Sequence, residues 1–589
     1  MQHKDMKHNI IMGMILTFFS IMMSAVAKCV HPLFSGYELL LIFYETLCIA
    51  TFIYLLRSGR LRMGVRMILT ISCLMVFGIS AYATLTYGQT IIHGDTAIAT
   101  MLARAELKYK TLLPKTWCYA NGDVWVLDTQ LAVLPFSLIL RDQSLARMIG
   151  SLLMMIIGAV SLYFLDKAVL RSGSWLIAIP VIFVFFFGGN YDLVWGNDHI
   201  NYQASYTCWL FFIPAMIILS YIIIVERKKG KMLYAAYMIL CIVCFMRGLR
   251  AIAELLVPLL LTFVLLSYMK DRRFDRKRTT ELLVFLIPSL IGCAMYKVIS
   301  STHIVQSSDV GGTKYISNLD MAADNLKRIL TDMFDIFGYN GGVDLASIRG
   351  LSNLVAVICC ILFVFILPVL QTKKMDGETE GVRFFFVFCM IHNVEMLIST
   401  IFFNKTFPSH IMTFVLISVM LSSHYVMKYW MQGSELDRMY CVMFVMASFI
   451  TAAQLGLSCR GWIGKVNEKR MITDTMIEHG LDRCKGYGTF WNIYPLGVYS
   501  DLRLDVAAIG NSDLGLALTP YEWLVDVNKY VPDERGSYIL LNYVENEELG
   551  NSLEDIYGEC TERFSIGENF IYVWDYDVAL NDFKGRIDK

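Results

Sequence analysis

The sequence predicts an α-helical polytopic membrane protein that carries a small α/β domain at its C-terminal end. Of its 589 residues, 56% are hydrophobic and only 17% are charged, whereas a soluble domain is about 45–50% apolar and about 25% charged. The apolar residues are gathered into long runs over most of the chain. In the last part of the chain, short alternating segments replace these runs.

The charge balance argues against a nucleic-acid-binding protein. Lys plus Arg and Asp plus Glu both number 51, so the formal net charge is zero. A protein that binds nucleic acid usually shows a basic surplus, and this chain has none. The aromatic share of 13% and the 33 Met residues are typical of helices that face lipid. We therefore expect membrane lipids, and not nucleic acid, as partners.

Segments long enough to cross a bilayer place the helices. A helix needs about 20 mostly apolar residues to span the hydrocarbon core, and thirteen segments approach that length. They lie at 10–30, 37–56, 67–87, 148–165, 174–189, 207–225, 232–246, 251–268, 280–298, 352–371, 383–402, 409–427 and 439–458. The pair 232–246 and 251–268 has an alternative interpretation as one long kinked helix.

The distribution of Lys and Arg predicts the orientation. These residues are concentrated in alternate short loops, and the cytoplasmic loops are the ones enriched in them. This places the N-terminus in the cytoplasm and the C-terminus outside, most simply in a bacterial plasma membrane. The first segment, with Lys4, Lys7 and Ala25-Val26-Ala27, also fits a cleavable signal peptide. Either interpretation leaves the remaining topology unchanged.

Three long polar segments fall on the predicted outer face. Residues 1–458 form the predicted membrane domain, with large outer loops at 88–147 and 299–351. Residues 459–589 form the predicted extracytoplasmic α/β domain, because apolar and β-branched residues alternate in its candidate strands. A transporter binds its substrate at the membrane midplane. Long polar segments on the outer side instead favour a reaction at the outer membrane surface.

The loop 88–147 carries the clearest functional pattern. Asp95 directly follows a membrane segment and precedes an amphipathic helix pattern that suits the membrane interface. The aromatic residues Trp117 and Tyr119 follow, beside Asp123. Rings interleaved with carboxylates suit a sugar, whose faces stack on rings and whose hydroxyls bind carboxylates. The alternative is an ordinary interfacial loop, since Trp and Tyr are enriched at that depth.

This layout resembles the GT-C superfamily of integral-membrane glycosyltransferases. In that family an acidic residue opens the first large outer loop, an interfacial helix and an aromatic, Pro-bearing return follow, and many members add a C-terminal outer domain. The resemblance implies sugar transfer from a polyprenyl-phosphate donor, with Asp95 as catalytic base or metal ligand. The family's acidic pair is reduced here to Gly94-Asp95-Thr96, which leaves metal dependence open.

A second polar cluster predicts where a metal would bind. The segment 189–206 contains Asp198 and His199 among aromatic residues and has no Lys or Arg. Carboxylate and imidazole groups are ligands for divalent cations, so together with Asp95 they would hold Mg²⁺ or Mn²⁺. A polar cap on short helix ends is the alternative interpretation.

Four basic side chains are candidates for binding the phosphate of the donor. Arg247 and Arg250 lie in a tight turn on the predicted outer side, and guanidinium groups bind phosphate bidentately. Lys405 and His410 lie in a late outer turn, where GT-C proteins often place a basic residue.

The leading functional hypothesis is an enzyme. It transfers a sugar from a polyprenyl-phosphate donor to a cell-envelope glycan, glycolipid or protein, with Asp95 as general base. An envelope polysaccharide polymerase or ligase is one alternative; it predicts Arg-rich outer loops with a paired His. A non-catalytic transporter or flippase is the other; it predicts charges at mid-membrane, where Glu45 and Glu395 are the candidates.

Overall fold

A computed structural model describes most of the chain after residue 84. The described ranges are 84–172 except 121, 207–303 except 249 and 272–275, 318–337, 348–402, 408–429, 467–511 and 518–579, with the separate residues 74, 77, 78, 81, 82, 305, 339, 434 and 437. The predicted segments 10–30, 37–56, 174–189 and 439–458 therefore lie outside the described residues, and 67–87 is described only in part.

Helices dominate the first two thirds of the described chain. In chain order they are α1 (Gly94–Tyr109), α2 (Thr129–Ile139), α3 (Gln143–Leu165), α4 (Trp209–Ser220), α5 (Lys231–Phe245), α6 (Val257–Asp271), α7 (Arg276–Thr302), α8 (Leu319–Ile336), α9 (Ile348–Cys360), α10 (Leu367–Thr372), α11 (Glu380–Phe402) and α12 (Pro408–Tyr429). Short π-helical turns extend α3 and α4, precede α6 and join α9 to α10.

The prediction of a membrane protein with apolar spanning helices is confirmed. The predicted number of thirteen spans is not, since the described part of the chain contains fewer helices of full length. Three described helices are long and apolar enough to cross a bilayer, at Gln143–Leu170, Leu282–Thr302 and Glu380–Phe402. The apolar helices Trp209–Val225, Lys231–Phe245, Ile252–Tyr268 and Ala356–Thr372 coincide with predicted segments but have at most 17 residues. At about 1.5 Å per residue such helices reach only about 25 Å, short of the hydrocarbon thickness.

A sharp turn separates α5 from the helical segment that leads into α6. Gly248 has φ +147°, and a Cβ at this position would lie 2.4 Å from the Gly122 carbonyl oxygen. The Val124 amide donates to the Arg247 carbonyl oxygen at 2.6 Å. The chain therefore forms two helices here, not one kinked segment, and the turn packs against the loop 117–128.

The C-terminal region folds as an α/β unit, as predicted. In the described ranges 467–511 and 518–579 it forms a six-stranded sheet of order β4-β3-β2-β6-β8-β7. The strands are β2 (Lys485–Gly488), β3 (Asp505–Asn511), β4 (Leu518–Pro520), β6 (Ser537–Asn542), β7 (Glu562–Ile566) and β8 (Asn569–Trp574). The strand β2 pairs in parallel with β3 and β6, and the remaining neighbours are antiparallel. The helices of this region are α13 (Glu468–Glu478), α14 (Phe490–Tyr499) and α15 (Tyr543–Tyr557).

The loop after α1 is built into this C-terminal unit. Its short strand β1 (Trp117–Cys118) pairs antiparallel with β5 (Val525–Asp526). One continuous hydrophobic core contains residues of α1, of the loop 117–126 and of the sheet and its helices. The division of the chain near residue 458 stays a prediction, since packing crosses it. A second core fills the helical bundle.

Candidate active site

The start of α1 places the predicted catalytic carboxylate. His93 caps this helix, and its Nδ1 accepts a hydrogen bond from the Asp95 amide at 3.2 Å. Asp95 lies in the first turn and is partly exposed, where the positive end of the helix dipole favours a negative charge. Burial, and then the positive charges of Lys469 and Arg147, lower the pKa of His93 to about 4. The imidazole is therefore neutral at pH 7 and remains a hydrogen-bond acceptor.

Two cationic side chains from distant parts of the chain meet at this helix end. Arg147 of α3 is fully buried, and its Nε donates to the Thr96 carbonyl oxygen at 2.8 Å. Lys469 of α13 donates from Nζ to the Ile92 carbonyl oxygen at 3.3 Å. Within the described residues no carboxylate forms a salt bridge with Lys469, and burial lowers its pKa. Two cations beside a helix N-terminus are a favourable environment for an anion.

The C-terminal unit closes the other side of Asp95. The Phe490 ring packs on Gly94 so tightly that a Cβ there would lie 2.5 Å from Cε1. The Trp491 ring centroid lies 5.6 Å from that of His93. Burial, followed by the negative charge of Asp95, raises the pKa of Tyr521. Asp95 therefore lies at the junction of α1, α3 and the C-terminal unit.

A buried ion pair lies next to this junction. Arg247 donates from Nη2 to Asp128 Oδ2 at 2.7 Å, and both side chains are at most 1% exposed. Asp128 also caps α2 by accepting from the Thr129 amide at 2.7 Å. The Arg147 guanidinium lies within electrostatic range of Asp128. Arg247 is therefore paired with a carboxylate of the chain, while its buried Nε has no hydrogen-bond partner among the described residues. Its predicted contact with a donor phosphate remains a prediction.

Arg250 is also engaged inside the bundle. Its Nε lies 3.2 Å from Glu254 Oε1. Glu254 Oε2 accepts from Thr413 at 2.8 Å and lies 3.2 Å from His392 Nε2. The structure thus brings the two predicted arginines to one turn and supplies each with an acidic partner.

The predicted sugar-binding rings are buried. Trp117 is 2% exposed and Tyr119 is fully buried, because β1 pairs with β5 and draws both rings into the shared core. Asp123 is also buried, and burial raises its pKa to about 6 against the opposing effect of Arg247 and Arg250. Their role in sugar binding therefore stays a prediction, and these rings do not form an open surface.

The remaining predicted residues are placed as follows. Lys405, Asp198 and His199 lie outside the described residues. His410 belongs to the first turn of α12. Among the residues that the structure describes, no group of three His, Cys, Asp or Glu side chains could hold a metal ion. Binding of Mg²⁺ or Mn²⁺ therefore stays a prediction.

Sequence reasoning missed the residues that surround Asp95. Arg147 carried a usable signal, because a charge inside an apolar helix is costly and usually has a function. His93 directly precedes the predicted helix but is a single histidine in a polar segment. Lys469 carried no local signal, since long-range packing alone brings it to α1. Trp491 belongs to the aromatic segment 486–492, whose rings beside Asn suit a glycan, but nothing local showed that this segment packs on α1.

The helical bundle, the candidate site and the C-terminal unit together define one class of fold. A helical bundle with apolar helices of membrane-spanning length, a carboxylate in the first turn of α1 and a C-terminal α/β unit packed on that helix make up the GT-C fold expected from the sequence.

A particular protein of known structure has a similar fold. The apo crystal structure of ArnT from Cupriavidus metallidurans, a GT-C glycosyltransferase, is similar to this chain with a TM-score of 0.52, 10% identity, and coverage of 85% of this chain and 97% of ArnT. The crystal structure of ArnT bound to undecaprenyl phosphate gives a TM-score of 0.49 with the same identity and coverage. No protein-family model and no curated protein matches the chain. At this identity the likeness concerns the fold.

A buried carboxyl group of α1 faces the loop that carries Trp125. Glu106 is 3% exposed, and its Oε1 accepts from Gln130 Nε2 at 3.3 Å. Within the described residues, Glu106 Oε2, Tyr119 Oη and Trp125 Nε1 have no hydrogen-bond partner. Burial raises the pKa of Glu106 from 4.5 to about 8. The group is therefore protonated at neutral pH.

We expect Asp128→Ala to reduce the free energy of unfolding by about 3–5 kcal/mol, because it leaves Arg247 charged and unpaired in the interior. The double variant Asp128→Leu/Arg247→Met should recover part of this loss. Asp142→Ala is the matched control, since Asp142 also caps a helix and pairs with an arginine, Arg470, but at about one third exposure. Thermal unfolding of the purified protein measures all three, and equal losses in Asp128→Ala and Asp142→Ala would contradict the prediction.

We expect Glu106 to make stability depend on pH. Its pKa in the folded state lies above the unfolded value, so the folded state binds more protons and stability falls as the pH rises from 4.5 to about 8. Glu106→Gln should flatten this decline, whereas Glu478→Gln at an exposed position should not. Thermal unfolding at several pH values compares the three proteins; parallel curves for wild type and Glu106→Gln would contradict the assignment.

Proposed function

We propose that this protein is a membrane glycosyltransferase that uses a polyprenyl-phosphate-linked sugar. One observation carries the proposal: in a GT-C fold, Asp95 lies in the first turn of α1, where Arg147 and Lys469 bond to the backbone carbonyl oxygens of Thr96 and Ile92. The acceptor is a cell-envelope glycan, glycolipid or protein at the outer face of a bacterial plasma membrane.

The donor lipid class follows from the chemistry of this helix end. A phosphate carries a charge that the N-terminus of α1, the Lys469 ammonium and the Arg147 guanidinium would stabilise together. Lys469 is partly buried and has no acidic partner among the described residues, so an anionic ligand would remove an electrostatic cost. ArnT, which shares the fold, has been crystallised with undecaprenyl phosphate, and this is the type of lipid that we propose.

Asp95 would act as the general base. Its carboxylate accepts the proton of an acceptor hydroxyl while that oxygen forms a bond to the anomeric carbon of the sugar. The bond between the anomeric carbon and the phosphate oxygen breaks, and polyprenyl phosphate leaves with its charge stabilised by Lys469 and Arg147.

We expect Asp95→Asn to lower transfer by about 10²- to 10⁴-fold, because an amide cannot take up the proton. Folding should be preserved, since the side chain is partly exposed and the amide that bonds to His93 remains. Asp320→Asn is the matched control: Asp320 also lies in the first turn of a helix, in the predicted outer loop 299–351, and it is exposed. The measurement is transfer from a panel of undecaprenyl-phosphate-linked sugars to envelope extracts, and full activity in Asp95→Asn would refute the role.

We expect Lys469→Met to weaken binding of undecaprenyl phosphate by roughly tenfold or more, the effect of losing one hydrogen bond to a charged group. Lys108→Met, a highly exposed position at the other end of α1, should bind the lipid like the wild type. Native mass spectrometry of the purified protein with added undecaprenyl phosphate measures both without knowledge of the sugar. Unchanged lipid binding in Lys469→Met would remove this residue from the donor site.

A further inference from the structure

A group of aromatic rings on the C-terminal unit faces solvent beside Asp95. Trp491, at the start of α14, is 54% exposed, and Tyr521 and Trp523, between β4 and β5, are partly exposed. We call these three residues the aromatic platform. Neighbouring exposed rings form an apolar patch, and a contiguous apolar patch with polar groups at its edge marks an interaction site.

The platform has a fixed geometry. Buried Phe490 packs edge-on against Trp491, with 5.0 Å between ring centroids and an angle of 85°, and against Tyr521 at 5.9 Å. Tyr521 and Trp523 lie nearly parallel, with centroids 6.2 Å apart and an angle of 30°. The Tyr521 amide donates to the Ala508 carbonyl oxygen at 3.1 Å, which ties the segment to β3. The rings are therefore oriented before any ligand arrives.

The platform adjoins the start of α1. Trp491 contacts His93, with ring centroids 5.6 Å apart, and Phe490 packs directly on Gly94. The charge of Asp95 acts on the Tyr521 hydroxyl. A ligand that lies on these rings therefore has its edge next to the Asp95 carboxylate and the neutral His93 imidazole.

We propose that the aromatic platform is the subsite for the acceptor, and that it binds a pyranose ring. This rests on the proposed glycosyltransferase function and names its acceptor chemistry. The C–H groups on one face of a pyranose carry partial positive charge and pack on the electron-rich face of an aromatic ring. The hydroxyls at the edge of the sugar then reach Asp95, which takes the proton of the attacking hydroxyl.

The charges around the platform favour a sugar over insertion into the membrane. Glu522 is exposed between Tyr521 and Trp523, and Asp95 lies on the other side. Carboxylates are costly at hydrocarbon depth and are repelled by anionic headgroups. The same carboxylates are good acceptors for sugar hydroxyls.

Saturation-transfer NMR on the full-length protein tests the proposal without requiring transfer. The probes are the methyl glycosides of glucose, galactose, mannose and N-acetylglucosamine, and the protein is held in a detergent that contains no sugar. We expect at least one glycoside to receive saturation from the wild type, with Trp491→Ala weakening its binding at least about fivefold. Trp491→Phe should retain most of the affinity, because a ring remains. Tyr268→Ala, an exposed aromatic at the far end of the segment that starts at the Arg247 turn, should bind like the wild type.

Two outcomes would overturn the platform. One is that the wild type binds none of the four glycosides. The other is that bromine-labelled lipids in nanodiscs quench the fluorescence of Trp491. This fluorescence is the part of the wild-type signal that Trp491→Phe lacks, and its quenching would place the ring in the membrane. Either result leaves the proposed function standing if Asp95-dependent transfer is observed. Glycoside binding that depends on Trp491, without any transfer, would support the platform and count against the enzyme.

Discussion

The close packing of α1 against the C-terminal unit is the contact on which the candidate site depends. Gly94 allows the Phe490 ring and backbone to approach the first turn of the helix, and the paired strands β1 and β5 hold the following loop in place. Without this contact, Asp95 would face water, and neither Lys469 nor Trp491 would lie near it. The loop that carries Trp117 is thereby part of a packed core.

Buried charge is handled in two different ways near this contact. Arg247 pairs with Asp128, and Arg250 pairs with Glu254. These ion pairs attach the turn at Gly248 to the loop 117–128 and to the helical bundle. Lys469, in contrast, bonds to a backbone carbonyl oxygen and has no acidic partner in the described part of the chain. An ion pair inside a protein mainly fixes geometry, whereas the proposed donor site uses Lys469 as the cation that contacts the phosphate.

The sequence predicted those features that depend on neighbouring residues. Apolar runs located the described bundle helices, alternation located the C-terminal strands, and the position of Asp95 before an amphipathic pattern located α1. Features that depend on distant residues could not be predicted. Trp117 and Tyr119 looked like surface rings until β1 paired with β5. Nothing local showed that Asp128 would pair with Arg247, since 119 residues separate them in the chain.

The core that α1 shares with the C-terminal unit also determines when the candidate site can form during synthesis of the chain. Membrane proteins are inserted from the N-terminus onward, so α1 and the loop that carries Trp117 emerge long before β5 and Phe490 are synthesised. The parts of their apolar faces that pack on the C-terminal unit have no partner until the last fifth of the chain is synthesised. A nascent chain that stops short of β5 therefore exposes Ile98, Leu102 and Trp117, a surface that chaperones and proteases recognise. Assembly of the candidate site therefore requires residues from the last fifth of the chain.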